Sequence, residues 1–344
     1  MIVLGIESSC DDTSVAILNM ADGDMGYKER ILAHQIYTQF TEHAEYGGVV
    51  PEIASRAHLE RMDPLVKKAL KEANMTLDDI DAFAVTQGPG LLGGLLIAVS
   101  YVKSLALITG KPFIGVNHLE GHALTANLTE NIGFPYLLLL VSGGHCQFMN
   151  VKDKGDYEII GATLDDAAGE VFDKVAKMLD MPYPGGPHIE QLALKGDKNA
   201  YDFPIPLHTN TVEMSFSGLK TAVRTCIRNQ DEITDKIKED ICASFQHTVA
   251  KTLVFKTKKA LATTDVKQFV LAGGVAANKY LRGSLEDICE KKAVTFHAPP
   301  IKLCTDNAVM IAYAGGLYLK EGKKSELDIN AMARWPLEKN KKNQ

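Results

Sequence analysis

The chain has 344 residues, of which 46% are hydrophobic and 23% charged, enough apolar content for a large core and enough length for two domains of ordinary size. A formal net charge of -6 excludes a chain that coats nucleic acid by bulk electrostatics, so Lys256-Thr257-Lys258-Lys259 and Lys339-Asn340-Lys341-Lys342 read as solvated faces or local contacts. The six cysteines (Cys10, Cys146, Cys226, Cys242, Cys289, Cys304) include no C-x-x-C pair, which excludes a zinc ribbon or disulfide framework and fits a reducing, cytoplasmic setting.

The first element reads as strand, turn, strand. Ile2 to Ile6 is apolar, Glu7 to Thr13 is small and polar, and Ser14 to Leu18 is apolar again. Met1 to Glu7 has no basic region ahead of its apolar residues and is not expected to be a signal peptide. Tyr46 to Glu52 reads as a loop entering a helix through Ala54, Leu59, Met62, Leu65, Val66 and Leu70. Thr86-Gln87-Gly88-Pro89-Gly90-Leu91 reads as a turn. The apolar stretch from Leu91 to Thr109 is interrupted by Gly93, Gly94, Ser100, Lys103 and Ser104, which suits a buried helix rather than a membrane span.

His118-Leu119-Glu120-Gly121-His122 follows. On a helix the two imidazoles stand about 40° apart, close enough to share a metal ion. Chance alone supplies about 0.3 such pairs in a chain with 10 His, so a third ligand must come from elsewhere. Leu303-Cys304-Thr305-Asp306-Asn307-Ala308 offers a carboxylate, although the commoner use of Thr305 or Asp306 at such a place is to cap the helix that follows. The pair also invites a metallopeptidase reading, but zincins place glutamate directly after the first histidine. Glu120 stands two residues on, about 200° round the helix.

A second strand-turn-strand runs from Tyr136-Leu137-Leu138-Leu139-Leu140-Val141 through Ser142-Gly143-Gly144-His145 into Cys146 to Val151, and suggests two related halves. Residues 165 to 181 read as an amphipathic helix, Pro184-Gly185-Gly186-Pro187 as a turn, 188 to 195 as a helix and 237 to 262 as a long helix. Gln268 to Ala272 is a strand that delivers Gly273-Gly274-Val275-Ala276-Ala277-Asn278 to a helix ending near Lys291. The alternation of strands and helices is that of an α/β protein. Two hairpin turns and a strand-Gly-Gly-helix together describe a cleft that binds a nucleotide between the halves.

Val3 to Thr13, Gln87-Gly88-Pro89-Gly90, His118 to His122, Val141 to His145, Ser215-Phe216-Ser217-Gly218-Leu219-Lys220 and Gly273 to Asn278 occur in one order. Together they resemble the bacterial TsaD family, the threonylcarbamoyl transferase of tRNA modification, over about residues 1 to 335. The resemblance implies the actin-like, Hsp70-like ATPase fold, with one half at 1–134 plus 304–336 carrying the metal ligands, another at 135–303 carrying the nucleotide turns, and a tail at 337–344. It implies a divalent metal, iron or zinc, on His118, His122 and Asp306. Val141, Ser142, Gly143, Gly144 and His145 are implied to cradle phosphate, Asp173, Gly186 and Glu190 to hold the ribose region, and Asn278 to lie at the adenine. Ser9 and Asp11 match the loop that closes on substrate. Archaeal relatives carry a tyrosine ligand where this chain has Leu140. The implied reaction moves a threonylcarbamoyl group from threonylcarbamoyl-AMP to N6 of the adenosine 3′ of the anticodon, position 37, in tRNAs reading codons that begin with A, and releases AMP. The resemblance also implies TsaB-like and TsaE-like protein partners, an ATP or AMP-type nucleotide in the same site, and no membrane. The rival readings are a metallopeptidase, an ATP phosphotransferase or ATPase of the same fold, and a nucleotide-gated interaction module.

Overall fold

The computed structural model describes residues 1–23 and 25–338. Two five-stranded sheets organise it. In the first, β1 (Ile2–Glu7), β2 (Asp12–Asn19), β3 (Ile31–Thr38), β4 (Ala82–Gly88) and β5 (Phe113–Asn117) lie in the order β3-β2-β1-β4-β5. In the second, β6 (Tyr136–Val141), β7 (Cys146–Asp153), β8 (Asp156–Ala162), β9 (Gln268–Ala272) and β10 (Thr295–His297) lie in the order β10-β9-β6-β7-β8. Read from the β8 edge, the second order repeats the first. The strand senses repeat too: β1 and β6 each pair antiparallel with the next strand and parallel with the later one, β4 or β9. The chain divides into Met1–Ile132 with Asp306 onward, and Gly133–Thr305.

The physical cause is legible in the central strands. Ile2–Glu7 and Tyr136–Val141 are covered on both faces, and the strand interiors are apolar without alternation, as such strands require. Connections of two to four residues join β1 to β2, β6 to β7 and β7 to β8, whereas the parallel partners arrive only after crossover helices such as Pro51–Glu72 and Leu92–Thr109. β3 and β8 are sheet edges with mixed burial, and their polar residues among apolar ones hid them from the sequence reading.

Several expectations need correction. Thr86, Gln87 and Gly88 belong to β4, and the turn begins only at Pro89, where no ladder donor is available. The helix expected at 188–195 runs Gly185–Ala193, because Pro187 in a helical first turn gives up only an N–H that lacks a partner anyway. The helix after Tyr46–Glu52 already begins at Pro51 for the same reason. Leu92–Thr109 is not wholly buried: Leu95, Ala98, Val99 and Val102 face the core, whereas Leu107 and Ile108 are 70% and 82% exposed. Lys256 is fully buried and donates its Nζ to the Thr211 carbonyl at 3.0 Å, so its cluster is not a uniformly solvated face. The lysine cluster from Lys339 and the end of the expected tail lie outside the described residues, while Leu337 within that tail is buried.

One packing contact positions the site. The helix Ala308–Lys320 lies so close to β1 that a Cβ on Gly5 would stand 2.6 Å from the Ala308 carbonyl oxygen and 2.8 Å from the Ala312 Cβ. Only glycine permits that approach. It brings the residues just ahead of the helix to the end of β1.

Candidate metal centre and nucleotide turns

The helix expected after Asn117 runs His118–Glu130, and the Asn117 side chain caps it by accepting the Leu119 N–H at 2.9 Å. His118 is therefore the first helical residue and His122 lies one turn further, with ring centroids 4.8 Å apart and planes at 89°. Both are buried. The carboxylate in question belongs to Asp306, and the cap ambiguity is resolved by its neighbour: Asn307 caps Ala308–Lys320, accepting the Met310 N–H at 3.0 Å. The Asp306 side chain faces the histidines. Its Oδ1 lies 3.1 Å from His122 Nε2 and 3.5 Å from His118 Nε2.

These three groups offer ligand atoms that all lie within 4.8 Å of one another. A tetrahedral ion with bonds of about 2.1 Å needs ligand atoms roughly 3.4 Å apart, so the cluster is close to a working site. Two imidazoles and a carboxylate form a donor set that zinc and ferrous iron both accept.

Behind His118 stands Glu7, fully buried at the end of β1. Its Oε2 lies 3.0 Å from His118 Nδ1 and accepts the Thr86 hydroxyl, while its Oε1 accepts the Ser9 N–H at 2.6 Å. Burial by itself pushes the Glu7 carboxyl upward, but the adjacent His118 outweighs that and holds it below its usual value. Burial likewise pushes His118 down, and Glu7, then Asp306, outweigh it and raise the imidazole to about 9. Sequence reading missed Glu7 as a site residue, although it sits inside the quoted Val3 to Thr13 stretch. The signal available was an ionisable residue at the end of an otherwise apolar strand.

The loop that leaves β1 is pinned from below. His58 Nδ1 lies 2.8 Å from the Thr13 hydroxyl and its Nε2 3.0 Å from the Cys10 carbonyl oxygen, and burial holds this imidazole below its ordinary value. Ser9 Oγ lies 3.1 Å from His118 Nδ1. Asp11 is nearly buried, at 9% exposure, within the same loop. Asp12 is pushed up to about 8, first by burial and then by Asp306, Asp11 and Glu7.

The other expected residues lie on the second unit. Ser142 and His145 close the β6–β7 turn: Ser142 N donates to the His145 carbonyl at 2.7 Å, and Ser142 Oγ accepts the His145 N–H at 3.0 Å. Gly143 and Gly144 are exposed at its tip, with no atom near where a Cβ would be. Gly273, at φ +92°, packs its Cα against the Val141 carbonyl, 2.4 Å from where a Cβ would stand, so β9 ends directly beside that turn. Asp173 Oδ1 accepts the Gly185 N–H at 2.8 Å, an otherwise orphaned donor at a helix start. Gly186 follows with open space over its Cα. Glu190 accepts the Lys279 N–H at 2.7 Å, and Asn278 caps the helix Lys279–Lys291 while donating to Gln246 Oε1 at 2.8 Å. Glu190 and Asn278 therefore meet at one helix N-terminus, where backbone N–H groups favour an anion or a polar ligand edge.

Residues 30–313 match the TsaD family, described as tRNA N6-adenosine threonylcarbamoyltransferase. The chain belongs to the TsaD family. A tRNA N6-adenosine threonylcarbamoyltransferase of Bartonella henselae is 51% identical over 351 aligned positions, covering 98% of this chain and 96% of that protein. One of Brucella canis is 51% identical over 346 positions with the same coverage. Among solved structures, component A of the Acidaminococcus fermentans (R)-2-hydroxyglutaryl-CoA dehydratase matches with TM-score 0.55 and 18% identity, over 94% of this chain and 100% of that one. Full-length HypF in a phosphate- and nucleotide-bound form matches with TM-score 0.61 and 14% identity, over 94% of this chain and 47% of that one. At such identities the likeness carries the fold alone, which is the actin-like ATPase fold expected from the sequence.

Within the TsaD frame, the peptidase reading loses its base. Glu120 is buried and its Oε1 accepts the Tyr318 hydroxyl at 2.6 Å. Leu140 is fully buried in β6 and has no ligand atom to offer. The Ser215 to Lys220 motif is organised by two carboxylates. Asp165 accepts the Ser215 and Ser217 hydroxyls, each at 2.6 Å, and the Phe216 N–H at 2.7 Å, while Asp166 pairs with Lys220 and Lys174. Neither aspartate was singled out from the sequence, because the chain alone does not show which loop carboxylate faces a motif some 50 residues on.

Proposed function

We propose that this TsaD-family transferase uses His118, His122 and Asp306 as a metal centre, and moves the threonylcarbamoyl group of threonylcarbamoyl-AMP to N6 of adenosine 37 in tRNAs that read codons beginning with A. The observation that supports it is the convergence of two imidazole nitrogens and one carboxylate oxygen within 4.8 Å, with His118 held from behind by a buried carboxylate. The N6 lone pair is delocalised into the purine ring, so the electrophile has to be activated. Iron or zinc at this centre would supply Lewis-acid polarisation of the carbamoyl oxygen.

The chain's own residues do the remainder. N6 attacks the carbamoyl carbon, the bond from that carbon to the phosphate oxygen breaks, and AMP departs with the electron pair. Asp11 is assigned as acceptor of the amine proton, with Ser9 beside it in the loop that closes on substrate. Val141 to His145 are assigned to the phosphate, with the N–H groups of the exposed Gly143 and Gly144 at the tip of the turn stabilising its developing charge. Asp173, Gly186 and Glu190 are assigned to the ribose region and Asn278 to the adenine, whether the occupant is the substrate adenylate or an ATP or AMP-type nucleotide.

An acidic chain that acts on an anticodon loop supports shared RNA binding, and TsaB-like and TsaE-like subunits are the proposed partners. All six cysteines are free thiols, which supports a cytoplasmic setting. The test supplies threonylcarbamoyl-AMP, tRNA, Zn²⁺ or Fe²⁺ and the chain with those partners, and measures modified nucleoside and AMP. His118→Ala and Asp306→Ala are expected to abolish both products while the fold persists. Full transfer by either variant without bound metal overturns the reading.

A further inference from the structure

Glu7 has no part in the reaction as assigned above, yet it is a fully buried carboxylate, a group a protein interior does not tolerate unless each oxygen is satisfied. Three donors converge on it: the Ser9 N–H on Oε1, and on Oε2 the Thr86 hydroxyl and the His118 ring at 3.0 Å. All come from the first unit, from the loop after β1, from β4 and from the first residue of His118–Glu130. Ser9 on Oε1 and Thr86 on Oε2 orient the carboxylate, and the second acceptor site of Oε2 is turned towards the imidazole.

Which nitrogen it meets decides the chemistry. Glu7 and the Ser9 hydroxyl both lie on Nδ1, at 3.0 and 3.1 Å. In a serine nucleophile triad the hydroxyl and the acid contact opposite nitrogens, so a hydrolase arrangement is excluded here. With Nδ1 engaged, Nε2 is the nitrogen that faces Asp306. We propose that Glu7 is the positioning residue of the metal centre: it holds His118 in the Nδ1–H tautomer and presents the Nε2 lone pair alongside His122 and Asp306. Glu7 is fully buried behind His118, and the role assigned to it passes through that ring. This inference rests on the metal reading above.

The test uses the full chain and Zn²⁺ alone, with affinity read by chelator competition for the wild type, Glu7→Gln and His122→Ala, and folding read by circular dichroism. Loss of a carboxylate behind a ligating histidine is expected to weaken Zn²⁺ by about 10- to 100-fold, with the fold retained. In zinc-loaded wild type, ¹⁵N-resolved imidazole signals are expected to show His118 protonated at Nδ1 and metallated at Nε2. A folded Glu7→Gln chain that binds Zn²⁺ within twofold of wild type, while His122→Ala loses it, overturns the role of Glu7 and leaves the metal centre standing. No Zn²⁺ binding by the wild type overturns the metal reading itself, and this inference with it. If Glu7→Gln does not fold, the tautomer decides: a His118 metallated at Nδ1 refutes the proposal.

Discussion

The Gly5 contact couples core packing to the metal centre, and Gly5→Ala tests the coupling. In most strands a Gly→Ala change would stabilise by about 0.4–1 kcal/mol through the unfolded state. Here the new methyl would stand 2.6 Å from the Ala308 carbonyl oxygen, 2.7 Å from the Ala312 nitrogen and 2.8 Å from the Ala312 Cβ. Those neighbours are mostly helix backbone, which cannot rotate aside, so the helix Ala308–Lys320 must retreat as a body. Overpacking of this kind costs about 1–3 kcal/mol, which exceeds the entropic gain and leaves a net loss of about 1–2 kcal/mol. In a unit of this size that lowers the melting temperature by about 2–8 °C. Asp306 precedes the retreating helix and moves away from His122, so Zn²⁺ affinity is expected to fall about tenfold. The assay is thermal unfolding by circular dichroism beside zinc competition, with Gly26→Ala as control, since no atom lies within 4 Å of that position. A Gly5→Ala chain that melts at or above wild type and binds Zn²⁺ normally would refute the argument from close approach.

Four further outcomes are expected. Asn307→Ala removes the cap of Ala308–Lys320 and is expected to cost about 1 kcal/mol of stability, read by chemical unfolding. Asp12→Asn is expected to raise the melting temperature at pH 8. Asp12 stays protonated in the fold to about 8 but ionises near its usual value when unfolded, so its cost grows as pH rises through that window and vanishes below pH 4; a gain that persists at pH 4 rejects the cause. Asp173→Ala frees the Gly185 N–H, and is expected to weaken AMP binding about tenfold by calorimetry. Glu120→Gln is expected to retain transfer in the nucleoside assay, because its carboxylate is engaged by Tyr318; loss of turnover with the fold intact would return Glu120 to the chemistry.

The sequence by itself determined the architecture and the family. A short apolar run such as Tyr136 to Val141, ended by Ser142-Gly143-Gly144, reads as a buried strand, and the motif order is a one-dimensional property that needs no coordinates. The helical spacing of His118 and His122 was fixed locally as well, once Asn117 could cap the turn. The edge strands Ile31–Thr38 and Asp156–Ala162 were not legible, because half-exposed strands mix polar and apolar residues without a clean period. Above all, the tertiary structure decided which residue caps a helix and which faces the metal ligands. Asp306 and Asn307 are adjacent and chemically alike in that role, and only the packing of their helix on Gly5 assigns the cap to Asn307 and the carboxylate to the histidines. Glu7 and His118 are 111 residues apart, a separation across which no periodicity operates. Their pairing exists because β1 and the start of His118–Glu130 converge in the first unit, and a buried carboxylate there must find its donors.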